Sequence, residues 1–210
     1  FSFLAYADEK HPVTIPDISY GFYKVFAQLF QVAPRVIPLR EDFSLPVEKF
    51  CGVGSMVVFA NPNAPTAIAL PLGDVEMIVA SNPDHVVLVD EAYVDFGGES
   101  AVSLIDRYPN LLVVRTFSKS RSLAGARIGY AMAQPGLIDD LERVARNGYA
   151  ALDVVLALID RTADYGVLLG ELLAALRSAQ RLLVAAHHIV VGHGLVLQED
   201  RIAGREVEDH

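Results

Sequence analysis

Short apolar runs alternate with segments of helical spacing along the first 148 residues of the chain. Four valine-rich runs are bounded by Pro, Asn, Asp or Gly, a pattern typical of strands buried on both faces. These runs are residues 13–16, 56–60, 86–90 and 111–116. Segments with the apolar spacing of helices lie between or after them, at residues 20–30, 72–80, 101–108 and from Pro135 onward.

Strands that alternate with helices predict an α/β fold, here a three-layer α/β/α arrangement around a mostly parallel sheet. We expect residues 1–148 to form this large domain and place a boundary near Asn147 and Gly148. Residues 149–210 are predicted to be a mainly helical C-terminal tail without a chemical motif, with one strand and turn at 187–197. This region is either a divergent small domain or a tail that is not homologous to such a domain.

Composition narrows the class of protein. The formal net charge of -9 argues against broad nucleic-acid binding, which needs basic surface. Cys51 is the single cysteine, so no intrachain disulfide is possible and a cytoplasmic compartment is expected. No apolar run reaches the roughly 18 residues that span a bilayer, so no membrane is expected. Because the chain starts with Phe1 in an apolar segment, we expect it to be incomplete.

Polar stretches follow three of the predicted strands, where ligands bind in open α/β sheets. They are NPNAPT at 61–66, DEAYVDF at 90–96 and FSKSRSLAGARIGY at 117–130. Asp90 ends an apolar strand and needs a cationic partner, such as a protonated pyridine nitrogen. Glu91 should point to the opposite side and be structural. A structural salt bridge or helix cap is the competing interpretation of Asp90.

The third stretch, residues 117–130, contains an amine and several groups that can bind a phosphate. Lys119 lies in a polar turn near two arginines, where an amine can become a nucleophile. Ser118, Ser120 and Arg127 offer hydroxyls and a guanidinium, and Gly125 and Gly129 permit close backbone approach. Taken singly, each of these residues is more often an ordinary surface or loop residue.

Taken together, the motifs resemble the fold type I pyridoxal-phosphate aminotransferases, and among them the histidinol-phosphate aminotransferases. The resemblance rests on PDISYGFY at 16–23, NPNAPT, DEAYVDF and TFSKSRSLAGARIGY, in that order, and covers roughly residues 3–148. It implies pyridoxal 5'-phosphate as cofactor. Lys119 would hold the cofactor as a Schiff base and carry the catalytic proton, and Asp90 would pair with the pyridine nitrogen.

The resemblance also assigns the remaining cofactor contacts. Tyr93 would bind the phenolic oxygen, Tyr20 would stack on the ring, and Ser118 and Arg127 would hold the phosphate. The NPNAPT stretch departs from the family pattern because Ala64 stands where many relatives have the asparagine that binds the phenolic oxygen. Asn63 would substitute for it. Ala67 likewise stands where glycine is usual.

The expected activity is transfer of an amino group between glutamate and a phosphorylated keto substrate, most plausibly imidazole-acetol phosphate. The partners are then small amino and keto acids, with a homodimer expected for the full-length form. Two alternatives stay open: a catalytically incompetent part of such an enzyme, and a decarboxylase or lyase on the same scaffold. Three histidines at 187, 188 and 193 fit no standard metal-ligand spacing, so no metal is expected.

Overall fold

The computed structural model of the chain describes residues 2–126 and 128–148, and within them it contains four α-helices and six strands. The helices are α1 Ser2–Tyr6, α2 Phe22–Leu29, α3 Leu72–Ser81 and α4 Pro135–Gly148. The strands are β1 Val13–Pro16, β2 Pro34–Ile37, β3 Met56–Ala60, β4 Val87–Asp90, β5 Leu111–Thr116 and β6 Gly129–Met132. Short 3₁₀ helices occupy Val47–Lys49, Val94–Phe96, Ala101–Leu104 and Ala124–Ala126.

The six strands form one sheet in the order β2-β1-β3-β4-β5-β6. Every neighbouring pair is parallel except β5 and β6, which are antiparallel. The predicted mostly parallel sheet is therefore confirmed, and all four predicted strands are present with bounds within one residue.

Side chains alternate across the sheet and fill two cores, one on each face. On one face Phe59 and Val89 pack with Ile78 of α3. On the other face Val58 packs with Ala27 of α2, together with residues from α1 and α4. Helices cover both faces, which confirms the predicted three-layer arrangement.

Some predictions of local structure differ from the observed elements. The segment 101–108 was expected to be helical throughout, but only Ala101–Leu104 is helical, as a 3₁₀ turn capped by the Ser100 hydroxyl, which accepts from the Val102 N–H. Pro109 follows soon after and disfavours a longer α-helix before it. Strands β2 and β6 were not predicted. The predicted boundary near 148 and the helical tail at 149–210 lie outside the described residues.

Within residues 2–126 and 128–148, no helix is long and apolar enough to cross a membrane. In the same ranges, no group of three or more His, Cys, Asp and Glu side chains is arranged to hold a metal ion. The histidines at 187, 188 and 193 lie outside the described residues.

Candidate active site

The candidate site lies at the carboxyl ends of three neighbouring parallel strands. Asp90, the last residue of β4, is in register with Ala60 of β3 and with Val114 of β5. Lys119 follows the end of β5 by three residues. Parallel strands end at the same edge of the sheet, so the acid and the amine that the sequence singled out share one edge.

Asp90 is partly buried, and both of its carboxylate oxygens accept hydrogen bonds. The Tyr23 hydroxyl donates to Oδ2 over 2.7 Å, and the Ala92 N–H donates to Oδ1 over 3.0 Å. Burial raises the pKa of Asp90 above its ordinary value, while the Tyr23 hydrogen bond, the Ala92 N–H and the charge of Lys119 act in the opposite direction. The net effect is a raised pKa, so the ionised carboxylate is under-compensated by the protein groups around it.

Lys119 and Tyr93 lie against each other beside Asp90. The Lys119 ammonium is 5.1 Å from the centroid of the Tyr93 ring, within the range of a cation–π contact. The Lys119 side chain is exposed, and its carbonyl accepts from the Ser122 N–H, which closes the turn after β5. The amine is therefore accessible to a ligand that enters from solvent.

Tyr20 stands just before helix α2 with half of its surface exposed, 49%. Its ring stacks on Phe22 at 5.5 Å and meets the edge of Tyr23 at 5.5 Å. Since Tyr23 itself contacts Asp90, the Tyr20 ring belongs to the same neighbourhood as the acid. The geometry leaves an aromatic surface available beside the carboxylate.

Asn63 connects two loops through its side-chain amide. Its nitrogen donates to the Ile18 carbonyl over 3.0 Å and to the Thr66 hydroxyl over 2.9 Å, and its oxygen accepts from the Ser19 hydroxyl over 2.8 Å. A contact between Asn63 and the phenolic oxygen of a cofactor would require one of these bonds to be exchanged. The role assigned to Asn63 stays a prediction.

Ser118 forms a local hydroxyl pair at the start of the same turn. The Thr116 hydroxyl lies 3.0 Å from the Ser118 hydroxyl and accepts from the Ser118 N–H over 3.1 Å. A serine hydroxyl that accepts one bond can still donate to an anion. Arg127, the other predicted phosphate ligand, lies outside the described residues.

The two glycines near this turn differ in their surroundings. A Cβ placed on Gly129 would lie 2.9 Å from the backbone oxygen of Arg115, whereas one placed on Gly125 would meet nothing within 4 Å. The close approach at Gly129 is therefore one of backbone to backbone, where β6 pairs with β5, and the predicted close approach of a ligand at Gly125 and Gly129 stays a prediction.

Glu91 faces a different set of partners from its neighbour Asp90. The Glu91 side chain is fully buried and forms an ion pair with Arg115 at 2.8 Å. It also accepts from the Ser100 hydroxyl at 2.9 Å and from the Ala101 N–H at 2.6 Å. This network joins β5 to the segment that follows β4, so Glu91 has the structural role that the sequence predicted.

A further contact ties the loop after β4 to the turn after β5. Asp95 accepts a hydrogen bond from the Ser120 hydroxyl and lies 3.5 Å from the Arg121 guanidinium. Ser120 and Arg121 flank the Lys119 turn, so this link restrains the backbone on either side of the exposed amine.

Sequence reasoning missed Tyr23 as a partner of Asp90, although the two are hydrogen-bonded across a sequence separation of 67 residues. The only local signal was the three-residue spacing of Tyr20 and Tyr23 in SYGFY, which puts two tyrosines on one side of a helical turn. That spacing does not say which strand end the second tyrosine meets.

Comparisons with known proteins bear on this site. The aminotransferase class I and II family matches residues 1–186. Histidinol-phosphate aminotransferase 1 of Burkholderia pseudomallei is 56% identical over 143 residues, which are 68% of this chain and 40% of that protein. Histidinol-phosphate aminotransferase of a Marinomonas species is 51% identical over 164 residues, which are 77% of this chain and 46% of that protein.

Solved structures agree with the fold. A crystal structure from Erwinia carotovora, provisionally assigned as a histidinol-phosphate aminotransferase, has a TM-score of 0.61 and 29% identity and covers 68% of this chain and 44% of its own. The chain spans less than half the length of these curated relatives, about 40% of the first.

Proposed function

Because this chain belongs to the class I and II aminotransferases, with the family matching residues 1–186, we propose that it forms the cofactor-binding part of a pyridoxal-phosphate-dependent aminotransferase. The observation that carries the proposal is the meeting of an amine and a carboxylate at one edge of the sheet. Lys119 follows β5, Asp90 ends β4, and the positive charge of Lys119 partly opposes the rise that burial causes in the pKa of Asp90.

The residues at this edge fit the cofactor in charge and shape. Asp90 is a partly buried carboxylate whose pKa is raised by burial, so a protonated ring nitrogen would supply the cation that it lacks. A carboxylate has about four acceptor positions, and two are taken by Tyr23 and Ala92. Capacity for a further donor therefore remains.

Each residue then has a definite task toward the bound group. Lys119 would hold it through its amine and, once the substrate amino group has displaced that amine, would serve as the base that accepts a proton from the substrate α-carbon. Tyr93 would donate to the phenolic oxygen, and Tyr20 would cover one ring face. The phosphate would be held by Ser118 and Arg127, and the phenolic oxygen would also be contacted by Asn63, as the family resemblance implies. When bound, the cofactor supplies the electron sink that stabilises a carbanion.

For the substrate we propose histidinol phosphate and imidazole-acetol phosphate, with glutamate and 2-oxoglutarate as the amino donor and acceptor pair. The support is that both relatives above are histidinol-phosphate aminotransferases, each at least 51% identical to this chain over the matched residues. Function resides in a site and not in a fold, so turnover with these substrates is the test of this choice. We also propose a homodimer for the complete enzyme.

Cofactor binding is tested with the purified 210-residue chain. Added pyridoxal phosphate should produce the visible absorbance of a lysine-bound cofactor, and sodium borohydride should fix the cofactor on the peptide that contains Lys119. Lys119→Ala should abolish both signals. Lys49→Ala is the control, because Lys49 is also exposed but belongs to the 3₁₀ helix Val47–Lys49 and not to the turn after β5. Labelling that persists in Lys119→Ala would refute the assignment.

Turnover separates the alternatives. Formation of glutamate from 2-oxoglutarate with histidinol phosphate as donor supports the aminotransferase. Cofactor binding without turnover indicates a catalytically incompetent part of such an enzyme, which the 40% coverage of the first relative makes a real alternative. Release of CO₂ or of a side-chain fragment from an amino acid would instead identify a decarboxylase or a lyase.

A further inference from the structure

Tyr23 is the buried residue that connects helix α2 to the carboxylate of Asp90. It is 5% exposed, and its hydroxyl lies 2.7 Å from Oδ2 of Asp90. We propose that Tyr23 is a positioning residue that keeps Asp90 ionised and turned toward the ring nitrogen of the cofactor. The part of this inference that concerns the cofactor rests on the proposed function, but the effect of Tyr23 on the ionisation of Asp90 can be measured in the cofactor-free protein.

Tyr23 is a donor to Asp90 throughout the working pH range. Burial raises the pKa of Tyr23 well above its ordinary value, and the nearby carboxylate of Asp90 raises it further. A phenol with a raised pKa keeps its proton at neutral and moderately alkaline pH. The hydroxyl therefore has a proton to donate, and an ionised carboxylate is its strongest available acceptor.

The hydrogen bond from Tyr23 is the largest contribution that opposes the effect of burial on Asp90. Burial raises the pKa of Asp90, and the Tyr23 bond, the Ala92 N–H and the charge of Lys119 lower it, in that order of size. Among the residues that the structure describes, the titratable groups that act on this carboxylate are Tyr23 from α2 and Lys119 from the turn after β5. Without the Tyr23 hydroxyl, the neutral form of Asp90 gains population, and a neutral acid is a poor partner for a protonated ring nitrogen.

Tyr23 also fixes the direction of the carboxylate. The Ala92 N–H holds Oδ1 and Tyr23 holds Oδ2, so the plane of the carboxylate is restrained at both oxygens. The Tyr23 ring meets the Tyr20 ring edge to face, with 5.5 Å between the centroids and 79° between the planes. One side chain therefore contacts both the acid assigned to the ring nitrogen and the aromatic ring assigned to one face of the cofactor.

The test replaces Tyr23 by phenylalanine, which removes one oxygen and keeps the ring. The matched control is Tyr108→Phe, because the Tyr108 hydroxyl also lies 2.7 Å from a carboxylate oxygen, that of Glu76, on the opposite face of the sheet. Carbon-13 NMR of the Asp90 carboxyl in the cofactor-free chain gives its titration directly. Tyr23→Phe should move the Asp90 titration to higher pH, and Tyr108→Phe should leave it in place.

The cofactor arm measures affinity for pyridoxal phosphate across a pH series. Loss of a hydrogen bond to a charged group predicts binding weaker by about tenfold to one hundredfold near neutral pH in Tyr23→Phe. The difference from the wild type should narrow as pH rises and Asp90 ionises in both proteins. Tyr108→Phe should bind like the wild type, and circular dichroism should confirm that both variants are folded.

Two results would overturn the inference. One is an Asp90 titration in Tyr23→Phe that coincides with that of the wild type. The other is a loss of cofactor affinity that is equal at every pH, which would indicate a merely structural role. If the wild-type chain itself fails to bind pyridoxal phosphate, the proposed function fails, and the NMR titration alone then decides whether Tyr23 controls the ionisation of Asp90.

Discussion

The ion pair between Arg115 and Glu91 offers a stringent test of how the sheet edge is stabilised. The Arg115 side chain is 22% exposed and that of Glu91 is 0% exposed, with 2.8 Å between nitrogen and oxygen. A second pair, Arg107 and Glu76, has the same 2.8 Å separation, but its side chains are 58% and 32% exposed. The Arg115 guanidinium also donates to Glu91 through Nε at 2.9 Å and to the Ser100 hydroxyl at 2.7 Å, so replacing each arginine by methionine compares a buried pair with several hydrogen bonds with an exposed pair.

Arg115→Met should be far more costly than Arg107→Met. Removing one partner of a buried pair leaves an uncompensated charge, at a cost of about 3–5 kcal/mol. Glu91 would keep its bonds from the Ser100 hydroxyl and the Ala101 N–H, so we expect a loss near the lower end of that range. An exposed pair contributes about 0–1 kcal/mol, and this is the loss expected for Arg107→Met.

Urea unfolding followed by circular dichroism measures both losses by linear extrapolation. A loss of about 3 kcal/mol is a large share of the roughly 5–15 kcal/mol that stabilises a typical domain. The double change Arg115→Met with Glu91→Gln removes the orphaned charge and should recover part of the stability. If Arg115→Met is no more destabilising than Arg107→Met, burial does not set the strength of this pair and the reasoning is refuted.

Three further predictions concern backbone and charge at the sheet edge. Gly129→Ala should destabilise the fold by about 1–3 kcal/mol, because the added Cβ would lie 2.9 Å from the Arg115 carbonyl oxygen. Gly136→Ala is the control and should not destabilise the fold, because a Cβ at Gly136 would meet nothing within 4 Å. Thermal unfolding compares the two variants. Ala67→Gly should raise the melting temperature slightly, because Ala67 has a φ of 59°. This conformation costs an L-residue about 1–2 kcal/mol, whereas the extra backbone entropy that glycine loses on folding costs about 0.5–1 kcal/mol. An unchanged or lower melting temperature would contradict this reasoning. The pKa of Asp90 in the folded state is raised above 3.8, so the stability that Asp90 contributes is full below that pH and is lost as pH rises through the folded-state pKa. Asp90→Asn should therefore gain stability relative to the wild type from about pH 4 upward in unfolding experiments on the cofactor-free chain. A difference in stability that is the same at every pH would show that burial does not penalise this carboxylate.

The central part of the fold could be predicted from the sequence because its strands are buried on both faces. Every residue of β3 is buried, and an unbroken apolar run such as MVVFA has few other interpretations. The edge strand β2 has three exposed residues out of four and begins with a proline, so it lacks both signals. Strand β6 depends on a pairing with β5 through Gly129, which a local pattern does not reveal.

In the candidate site, too, the residues with a local sequence signal could be predicted and the long-range contacts could not. Asp90 and Lys119 could be singled out because Asp90 ends one apolar strand, Lys119 lies three residues after another, and parallel strands end at a shared edge. The Tyr23 contact with Asp90 joins residues 67 apart in the chain and depends on how helix α2 packs on the sheet. The bonds that engage Asn63 likewise come from Ile18 and Ser19 in a distant loop. Contacts of this kind follow from tertiary packing and leave no periodic signal.

The partners of the adjacent carboxylates Asp90 and Glu91 differ, and under the proposed function this difference makes Asp90 the one suited to bind a ligand. Successive residues of an extended chain point to opposite sides, so the two carboxylates meet different partners. Glu91 meets Arg115 at 2.8 Å and its charge is balanced within the protein. Asp90 has neutral donors at both oxygens and, among the described residues, no ion pair within 4.0 Å. Its charge is therefore supported by hydrogen bonds but not neutralised by an ion pair, and under the proposed function a protonated ring nitrogen would supply the missing positive charge.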